Sequence, residues 1–272
     1  MATPPPVALT IAGSDNSAGA GAQADLKTMT ALGVYGLTAI TCVVAEVPGR
    51  VSSIQAVDPK IVTEQIRLSF EAFPVAAVKT GMLHARATID EVCDFLSFVQ
   101  RGRSRRLPLI VDPVMVASSG DPLLHADAVA VYRERLIPMA TLVTPNLDEA
   151  AVLLGRRIRS LAELQAAGEE LVRRFGTSFL LKGGHLIHES RATDLLFLID
   201  GARHTFGAPF TPGVSTHGTG CTMSAAITSY VARGLPIAES VERAKLYVSK
   251  AIRKFHRWSA GRVVTDALNH GA

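Results

Sequence analysis

The chain has 272 residues, of which 48% are hydrophobic and 19% charged, and its formal net charge is +4. These values exclude a disordered chain, and the lack of a long Lys/Arg block, a signal-peptide pattern and a membrane-spanning apolar run argues against nucleic-acid binding, export and membrane insertion. Three cysteines without metal-ligand spacing fit a reducing compartment, so we expect a cytoplasmic protein with no nucleic-acid or membrane partner.

Apolar runs and helical periodicities alternate through the first half of the chain. Short apolar or β-branched runs predict strands, and apolar residues spaced by three or four predict helices. Asp58 followed by Pro59, and the capping-box pattern of Thr88 and Glu91, indicate helix starts. Strands are therefore predicted over residues 7–12, 37–44, 75–78 and 107–111, and helices over residues 20–32, from 59 onward and from 88 onward.

The second half continues this alternation and adds one hairpin. Asp200-Gly201 lies between two apolar runs and is a hairpin signal, and Ser160 opens a helix that Gly176 ends. Further helices are predicted over residues 123–135, 223–231 and 240–257, and strands over residues 140–143, 179–181, 195–199 and 203–206.

Strand–helix alternation of this kind predicts an α/β fold with a mostly parallel central sheet covered on both faces. No linker or repeat divides the chain, so we predict one domain over residues 1–272, with a disordered N-terminus over residues 1–6. Ligands of open parallel sheets bind beyond the carboxyl ends of the strands. We therefore expect one cleft, formed by the residues that follow the predicted strands: Gly13, Lys79, Asp112, Thr144 and Lys182.

The stretch from Thr216 to Thr222 carries the strongest chemical signal. Its two glycines stand where a loop enters a helix, and the first backbone N–H groups of a helix attract anions. We interpret this loop as a phosphate site, although glycines before a helix also serve simply to turn a chain. Cys221 lies beside the expected anion site, so we expect its pKa to be lowered.

Several other candidates each allow two interpretations. The glycine-rich segment over residues 13–25 lacks P-loop or dinucleotide spacing, so it either lets a helix pack closely or forms a substrate lip with Asp25 facing a hydroxyl. Asn146 and Glu149 form a capping box, place Glu149 near Mg²⁺, or do both. Lys182 either reaches a phosphate or is a surface lysine.

The histidines and the remaining cysteines are assigned no chemistry. His84, His185 and His217 have no metal-ligand spacing, so we interpret them as solvated or packing residues. Cys42 and Cys93 lie in apolar patterns and are interpreted as core residues.

A set of motifs, in order along nearly the whole chain, resembles the hydroxymethylpyrimidine/phosphomethylpyrimidine kinases of thiamine biosynthesis. The motifs are Ile11-Ala-Gly-Ser-Asp15, Ser17 to Lys27, Lys79-Thr-Gly-Met-Leu83, Asp112-Pro-Val-Met115, Thr144-Pro-Asn146, Lys182-Gly-Gly-His185 and Thr216 to Thr222. The resemblance implies a ribokinase-like three-layer α/β/α sandwich, often dimeric. It also implies Mg²⁺- and ATP-dependent phosphorylation of 4-amino-5-hydroxymethyl-2-methylpyrimidine, and then of its monophosphate.

The resemblance also implies a role for each matching residue. The pyrimidine site would contain Gly13, Asp25, Glu46, Met82 and Val114. Gly218, Thr219 and Gly220 would form the anion hole, with Cys221 where sugar kinases of the superfamily carry an aspartate base. Asp112 and Glu149 would organise Mg²⁺, and Lys182, Asn146 and Thr216 would lie on the ATP side.

One position departs from the family pattern, which has glutamine where this chain has Glu46. A glutamine amide both donates and accepts hydrogen bonds, whereas an ionised carboxylate only accepts. Glu46 therefore requires either a protonated ring nitrogen opposite it or a proton of its own. The alternatives that stay open are a pyridoxal kinase and a catalytically silent pyrimidine sensor. A sugar kinase is disfavoured because it predicts aspartate at position 221.

Overall fold

The computed structural model describes residues 3–115, 124, 126–183, 191–214, 217–261 and 263–272. Nine strands form one sheet in the order β3-β2-β1-β4-β5-β6-β7-β8-β9, and two more form a separate antiparallel hairpin. The strands of the large sheet are β1 Val7–Asp15, β2 Tyr35–Val47, β3 Arg50–Ala56, β4 Val75–Thr80, β5 Leu109–Val111, β6 Leu142–Val143, β7 Ser178–Lys182, β8 Arg191–Phe197 and β9 Arg203–Pro209. The hairpin pairs β10 His256–Ala260 with β11 Val263–Ala267.

The six inner strands β2, β1, β4, β5, β6 and β7 run parallel, as the strand–helix alternation predicts. Antiparallel strands extend both edges: β3 pairs with β2, and the predicted hairpin β8–β9 pairs with β7. The carboxyl ends of the parallel strands therefore share one edge of the sheet.

Helices cover both faces of the sheet, so the sandwich has three layers. They are α1 Gly21–Ala31, α2 Pro59–Ala72, α3 Arg86–Arg101, α4 Ala126–Val131, α5 Ile137–Met139, α6 Leu147–Leu154, α7 Leu161–Phe175, α8 Thr219–Ala232 and α9 Ile237–Arg253. Within the described part of the chain, no helix combines the length and the apolar character that a membrane crossing requires.

The alternation of side chains along the inner strands explains the two cores. On β5, Leu109 and Val111 pack into the larger core with α2, α3, α6 and α7, whereas Ile110 points to the opposite face. There it meets apolar side chains of α8 and α9, such as Met223 and Val241. A strand that is buried on both faces consists almost entirely of apolar residues. For this reason the sequence predicts even these short strands.

Local capping signals set several helix boundaries correctly. Ser160 accepts a hydrogen bond from the Glu163 N–H and begins α7, and Gly176, with φ 64°, ends it. Asp58 likewise caps α2. These interactions involve residues only a few positions apart, so they are determined by the local sequence.

Three predicted helix boundaries were wrong. Thr88 does not cap α3, which begins at Arg86 after an extended Ala85 without a side-chain cap, because packing of its buried face rather than a cap sets the start. The helix expected over 123–135 is α4 followed by a π-helical turn, Tyr132–Leu136, and residues 123 and 125 lie outside the described part. The helix expected to reach residue 257 ends at Arg253, because strand pairing takes over at His256.

The first described residues join the sheet rather than extending from it. Residues 3–6 have no regular structure, but the Pro6 carbonyl accepts a hydrogen bond from the Tyr35 N–H at 2.8 Å. The disorder expected over residues 1–6 therefore does not extend to Pro6.

Candidate active site

The residues that follow the parallel strands meet at one edge of the sheet, as expected. Asp112 follows β5, Thr144 follows β6, and Lys182 ends β7. The Lys182 ammonium donates to Asp112 Oδ1 at 3.1 Å, and the Thr144 hydroxyl lies 3.3 Å from the same oxygen. This arrangement places a cation and a carboxylate at the centre of the cleft.

The predicted anion loop leads into α8, which begins next to Lys182 and Asp112. Gly218 is the N-cap residue with φ 82°, and its carbonyl accepts the first helical hydrogen bond from the Thr222 N–H. A Cβ built on Gly220 would lie 3.1 Å from Lys182 Nζ and 3.9 Å from Asp112 Oδ2. Hence the backbone of the helix start, the ammonium and the carboxylate converge within one small volume, which suits a phosphate and its counter-ion.

Gly218 has a packing reason beyond its left-handed backbone. A Cβ there would lie 1.7 Å from the Gly19 carbonyl oxygen, so only glycine permits this contact. The glycine-rich segment after β1 and the anion loop therefore touch through their backbones. This close approach supports the interpretation that the first segment lets another element pack closely.

The buried carboxylate of Asp112 contacts three polar side chains. Its Oδ2 accepts from the Ser224 hydroxyl at 3.0 Å, in addition to the contacts of Oδ1 with Lys182 and Thr144. Burial alone would raise its pKa, but the charges of Lys182 and Lys79 and the hydrogen bonds hold the pKa below the ordinary value. Asp112 is therefore ionised at neutral pH.

Glu149 is a second carboxylate at this end and is also buried. It forms the predicted capping box with Asn146: the Asn146 N–H donates to Glu149 Oε2 at 2.8 Å and the Glu149 N–H donates to Asn146 Oδ1 at 2.9 Å. Burial and the charge of Asp112 raise the Glu149 pKa to about 7, against the opposing effect of Lys182. Two buried carboxylates that Lys182 neutralises only in part offer oxygen ligands of the kind that Mg²⁺ prefers.

The expected lowering of the Cys221 pKa was wrong. Cys221 lies at the start of α8, but burial raises the pKa of its thiol to about 12, and Asp112 and Asp25 raise it further. Lys79 acts in the opposite direction without compensating. Desolvation thus outweighs the helix dipole at this position.

Asp25 lies beneath the cleft rather than in it. Its side chain is fully buried, both oxygens lie 2.7 Å from the Lys79 ammonium, and Oδ2 also accepts from the Thr10 hydroxyl at 2.6 Å. The negative charge of Asp25 helps to raise the Lys79 pKa although burial lowers it. The structure therefore does not support a direct substrate contact for Asp25 and assigns it to holding Lys79.

Four of the five residues predicted for the pyrimidine site do lie at one end of the cleft, which we call the base end. Gly13 brings β1 close to β2, since a Cβ would lie 2.7 Å from Cys42 Sγ and 3.6 Å from Met82 Sδ. Met82 and Val114 pack against Cys42 in a small apolar cluster. On β2, Glu46 shares the inward face of Cys42 and the buried Val44, whereas Val43 and Ala45 are exposed.

The base end also contains a polar triad that no sequence pattern predicted, formed by Asp15, Glu46 and His217. The potential ligand atoms of these three side chains all lie within 4.8 Å of one another. Asp15 Oδ2 lies 3.4 Å from His217 Nε2 and accepts from the Ala20 N–H at 2.7 Å, and Oδ1 accepts from the Ser17 N–H at 2.7 Å. His217 is therefore not a simple packing residue, and its only sequence signal was its place next to Gly218.

The charges of the triad affect each other. Hydrogen bonds from His217, Ser17 and Ala20 hold the Asp15 pKa well below its ordinary value although burial raises it. Burial and the Asp15 charge raise the pKa of Glu46, and His217 lowers it. An open groove of about 800 Å³ is lined by His217 and by Ser17, which donates to Asp15, so the groove runs next to the triad.

The remaining predicted residues are placed as follows. Cys42 and Cys93 are buried in apolar clusters, as predicted, and all three cysteines are free. Thr216 and His185 lie outside the described residues. Asn146 pairs with Lys182 in an isolated bridge. It therefore lies at the end of the cleft formed by Lys182, Asp112 and the start of α8, which we call the phosphate end.

Comparisons with known proteins agree with this geometry. The sequence model described as phosphomethylpyrimidine kinase matches residues 15–266. A hydroxymethylpyrimidine/phosphomethylpyrimidine kinase of Rhizobium meliloti is 45% identical over 259 residues, which cover 94% of this chain and 93% of the relative. The thiamine biosynthesis bifunctional protein ThiED of Geobacter sulfurreducens is also 45% identical, and the chain covers 49% of its length.

Solved structures show the same architecture. The phosphomethylpyrimidine kinase of Clostridium difficile aligns with a TM-score of 0.77 and 38% identity, covering 90% of this chain and 99% of that one. The pyridoxal kinase of Staphylococcus aureus, in complex with AMP-PCP and pyridoxal, aligns with a TM-score of 0.84 and 31% identity, covering 98% of this chain and 94% of that one. The fold is therefore ribokinase-like, and the chain belongs to the phosphomethylpyrimidine kinase family of phosphotransferases.

Proposed function

We propose that this chain phosphorylates 4-amino-5-hydroxymethyl-2-methylpyrimidine with ATP, and then phosphorylates the resulting monophosphate, as a step of thiamine biosynthesis. The observation that carries the proposal is the convergence of the α8 helix start with Lys182 and Asp112, where a Cβ on Gly220 would lie 3.1 Å from the ammonium. The family relationship supports the pyrimidine as the acceptor.

In this proposal the hydroxymethyl oxygen of the substrate attacks the γ-phosphorus of ATP in line. Phosphoryl transfer requires positioning and neutralisation of charge more than covalent chemistry. The N–H groups of Gly218 to Cys221 bind the transferring phosphate, and Lys182 neutralises part of its charge. Asn146 and Thr216 are proposed to contact the nucleotide on the same side.

Asp112 and Glu149 would hold Mg²⁺, directly or through water. The fit rests on their burial next to each other and on their carboxylate oxygens, which are the ligands that Mg²⁺ prefers. When bound, the ion supplies charge neutralisation between neighbouring phosphates. The two side chains are already fixed by Ser224, Thr144 and Asn146, so the site is preorganised.

Cys221 has two possible roles in this scheme: general base or neighbour of the reacting oxygen. Its raised pKa keeps the thiol protonated at neutral pH, which favours the passive role. A loose transition state retains the proton of the attacking hydroxyl until late, so it gains little from a base.

The test is a coupled ATP-turnover assay with three acceptors in one preparation: the pyrimidine alcohol, its monophosphate and pyridoxal. We expect the highest kcat/KM with the pyrimidine alcohol and measurable turnover of the monophosphate. A preference for pyridoxal would favour the second candidate, a pyridoxal kinase, which the close structural likeness to the Staphylococcus aureus enzyme supports. Lack of turnover with all three acceptors would contradict the kinase proposal.

The family resemblance also leads us to propose a homodimer. Apolar side chains on β2 and α2 are exposed in the single chain, including Tyr35, Val43, Val47 and Leu68. Light scattering coupled to gel filtration measures the mass directly, and a monomer at micromolar concentration would contradict this assembly.

A further inference from the structure

The base end contains the half-buried carboxylate of Glu46. Among the residues that the structure describes, none donates a hydrogen bond to the Glu46 side chain, whereas the Glu46 backbone N–H donates to Asn16 Oδ1 at 2.7 Å. His217 Nδ1 is also buried without a partner in the described part. The half-buried Glu46 carboxylate and the buried His217 Nδ1 are therefore available to hydrogen-bond a ligand.

Asp15 cannot donate a hydrogen bond to Glu46, because an ionised carboxylate only accepts hydrogen bonds. Its two oxygens accept from the Ser17 and Ala20 N–H groups and contact His217, so it remains ionised next to Glu46. Two carboxylates and one imidazole thus share a small volume. An additional positive charge or proton in this volume lowers its electrostatic energy.

We propose that the aminopyrimidine is bound together with one proton, which is shared between the Glu46 carboxylate and the ring nitrogen next to the amino group. This inference rests on the proposed function, and it adds a mode of substrate selection at the same site. The amino group donates to one carboxylate oxygen, and the proton bridges the second oxygen and the ring nitrogen. The pair then has the two parallel hydrogen bonds of an amidinium and a carboxylate.

The proton count is the same whether the ring or Glu46 formally holds the proton. Above the pKa values of both free partners, neither carries this proton, so the complex must take it from solvent. Affinity therefore falls as pH rises, by up to about tenfold per pH unit. The raised pKa of Glu46, caused by burial and by Asp15, reduces the cost of holding the proton there.

Three titratable groups of the described structure face Glu46: Asp15, His217 and Cys42. Asp15 on β1 raises the Glu46 pKa, His217 before α8 lowers it, and Cys42 on β2 is a buried thiol whose own pKa is raised. Cys42 and Asp15 keep their charge states near neutral pH. His217 lies close to both carboxylates, so it needs its own control.

The test is isothermal titration calorimetry of the pyrimidine alcohol at pH 8, in buffers of different ionisation enthalpy. The alcohol is used because the monophosphate itself titrates near pH 6. We expect uptake of close to one proton per bound ligand by the wild type. Glu46→Gln should bind with almost no uptake and with an affinity that does not change with pH, since the amide donates and accepts without titrating.

Two control variants separate the sources of the proton. Glu242→Gln changes an exposed glutamate on α9 and should keep the wild-type uptake. His217→Asn should keep the uptake as well, even if affinity falls. Loss of uptake in His217→Asn but not in Glu46→Gln would overturn the proposal.

Binding and phosphorylation by the wild type without proton uptake would refute this inference and leave the proposed function intact. A stoichiometric metal in the purified protein that Glu46→Gln loses would also refute it, since the metal would supply the positive charge. Failure of the wild type both to bind and to phosphorylate the pyrimidine would instead remove the proposed function, and this inference with it.

Discussion

The two ends of the cleft differ in the groups that they present to a ligand. The phosphate end presents backbone N–H groups at the start of α8 and the Lys182 ammonium, whereas the base end presents the side chains of Asp15, Glu46 and His217. Backbone donors suit any terminal phosphate, since they recognise charge and shape. Side-chain carboxylates distinguish among bases by protonation and hydrogen bonding. The comparison suggests that the chemistry of transfer is located at one end and substrate selection at the other.

The two ends also touch, through Gly218 and Gly19, and we expect the largest effect from a substitution that disrupts this contact. Gly218→Ala would put a Cβ 1.7 Å from the Gly19 carbonyl oxygen, so both loops must move. We expect kcat/KM to fall about a thousandfold, comparable to the loss of an oxyanion-hole donor. Steady-state kinetics measures the loss, and calorimetry should show weaker binding of the pyrimidine too.

Gly234 supplies a matched control, because it also has a left-handed backbone but no atom within 4 Å of its Cβ position. Gly234→Ala carries the backbone strain of about 1 kcal/mol without the collision. It should lower stability slightly and leave kcat unchanged. A Gly218→Ala variant that keeps more than a tenth of the activity would contradict the contact's importance.

The next largest effect should come from the ion pair beneath both ends. Lys79→Met leaves the Asp25 carboxylate fully buried without its cation, and breaking such a pair costs about 3–5 kcal/mol of unfolding free energy. Urea denaturation measures this loss. The double variant Lys79→Met/Asp25→Leu should recover most of it, because no unpaired charge remains.

The control for Lys79→Met is Lys60→Met, which replaces an exposed lysine. It should change the free energy of unfolding by no more than about 0.5 kcal/mol. If the double variant is as unstable as Lys79→Met alone, the unpaired charge is not the cause of the loss.

Replacing Lys182 should affect the phosphate end of the cleft and not the base end. Lys182→Met removes the ammonium that contacts Asp112, so we expect kcat/KM for ATP to fall about 30- to 100-fold, the value of one or two charged hydrogen bonds. Affinity for the pyrimidine in the absence of ATP should not change, since no contact of Lys182 reaches the triad in the described structure. Calorimetry beside kinetics checks both statements.

Lys245 is the matched control for this prediction. It forms a similar partly buried pair with Asp194 at 2.7 Å, and Asp194 is the β8 neighbour of Lys182, so this variant changes the charges beside Lys182 without removing the ammonium that contacts Asp112. Lys245→Met should lower stability as Lys182→Met does and leave kcat/KM unchanged. Equal kinetic losses in the two variants would mean that Lys182 acts only on folding.

The phosphate end was predictable from sequence because its parts are local or follow from topology. The glycines of residues 218–220 form one segment, and Asp112 and Lys182 each end a recognisable apolar strand. The base end was not predictable in the same way. Asp15, Glu46 and His217 are far apart in sequence, and only the pairing of β1 with β2 and the Gly19–Gly218 contact bring them together.

The wrong pKa direction at Cys221 has a related cause. The sequence indicated a helix start, which lowers the pKa of a thiol, but it did not indicate the degree of burial or the nearby Asp112 and Asp25. Burial is a property of the whole fold, and desolvation shifts a pKa more than a helix dipole does. Short motifs therefore predict which groups meet more reliably than they predict charge states.

The smallest effect should follow from replacing the thiol itself. Cys221→Ser keeps the helix start and the volume, and serine cannot act as a base at neutral pH, so it isolates proton removal. We expect kcat to fall by less than about tenfold, because a thiol with a pKa of about 12 removes few protons at pH 7 to 8. General bases contribute roughly a hundredfold or more, so a larger loss would restore Cys221 as the base. The pH profile gives an independent check: a thiolate base requires kcat of the wild type to rise steadily towards high pH and requires Cys221→Ser to abolish the rise. A flat profile in both proteins would mean that binding at the phosphate end, and not proton transfer, determines the rate.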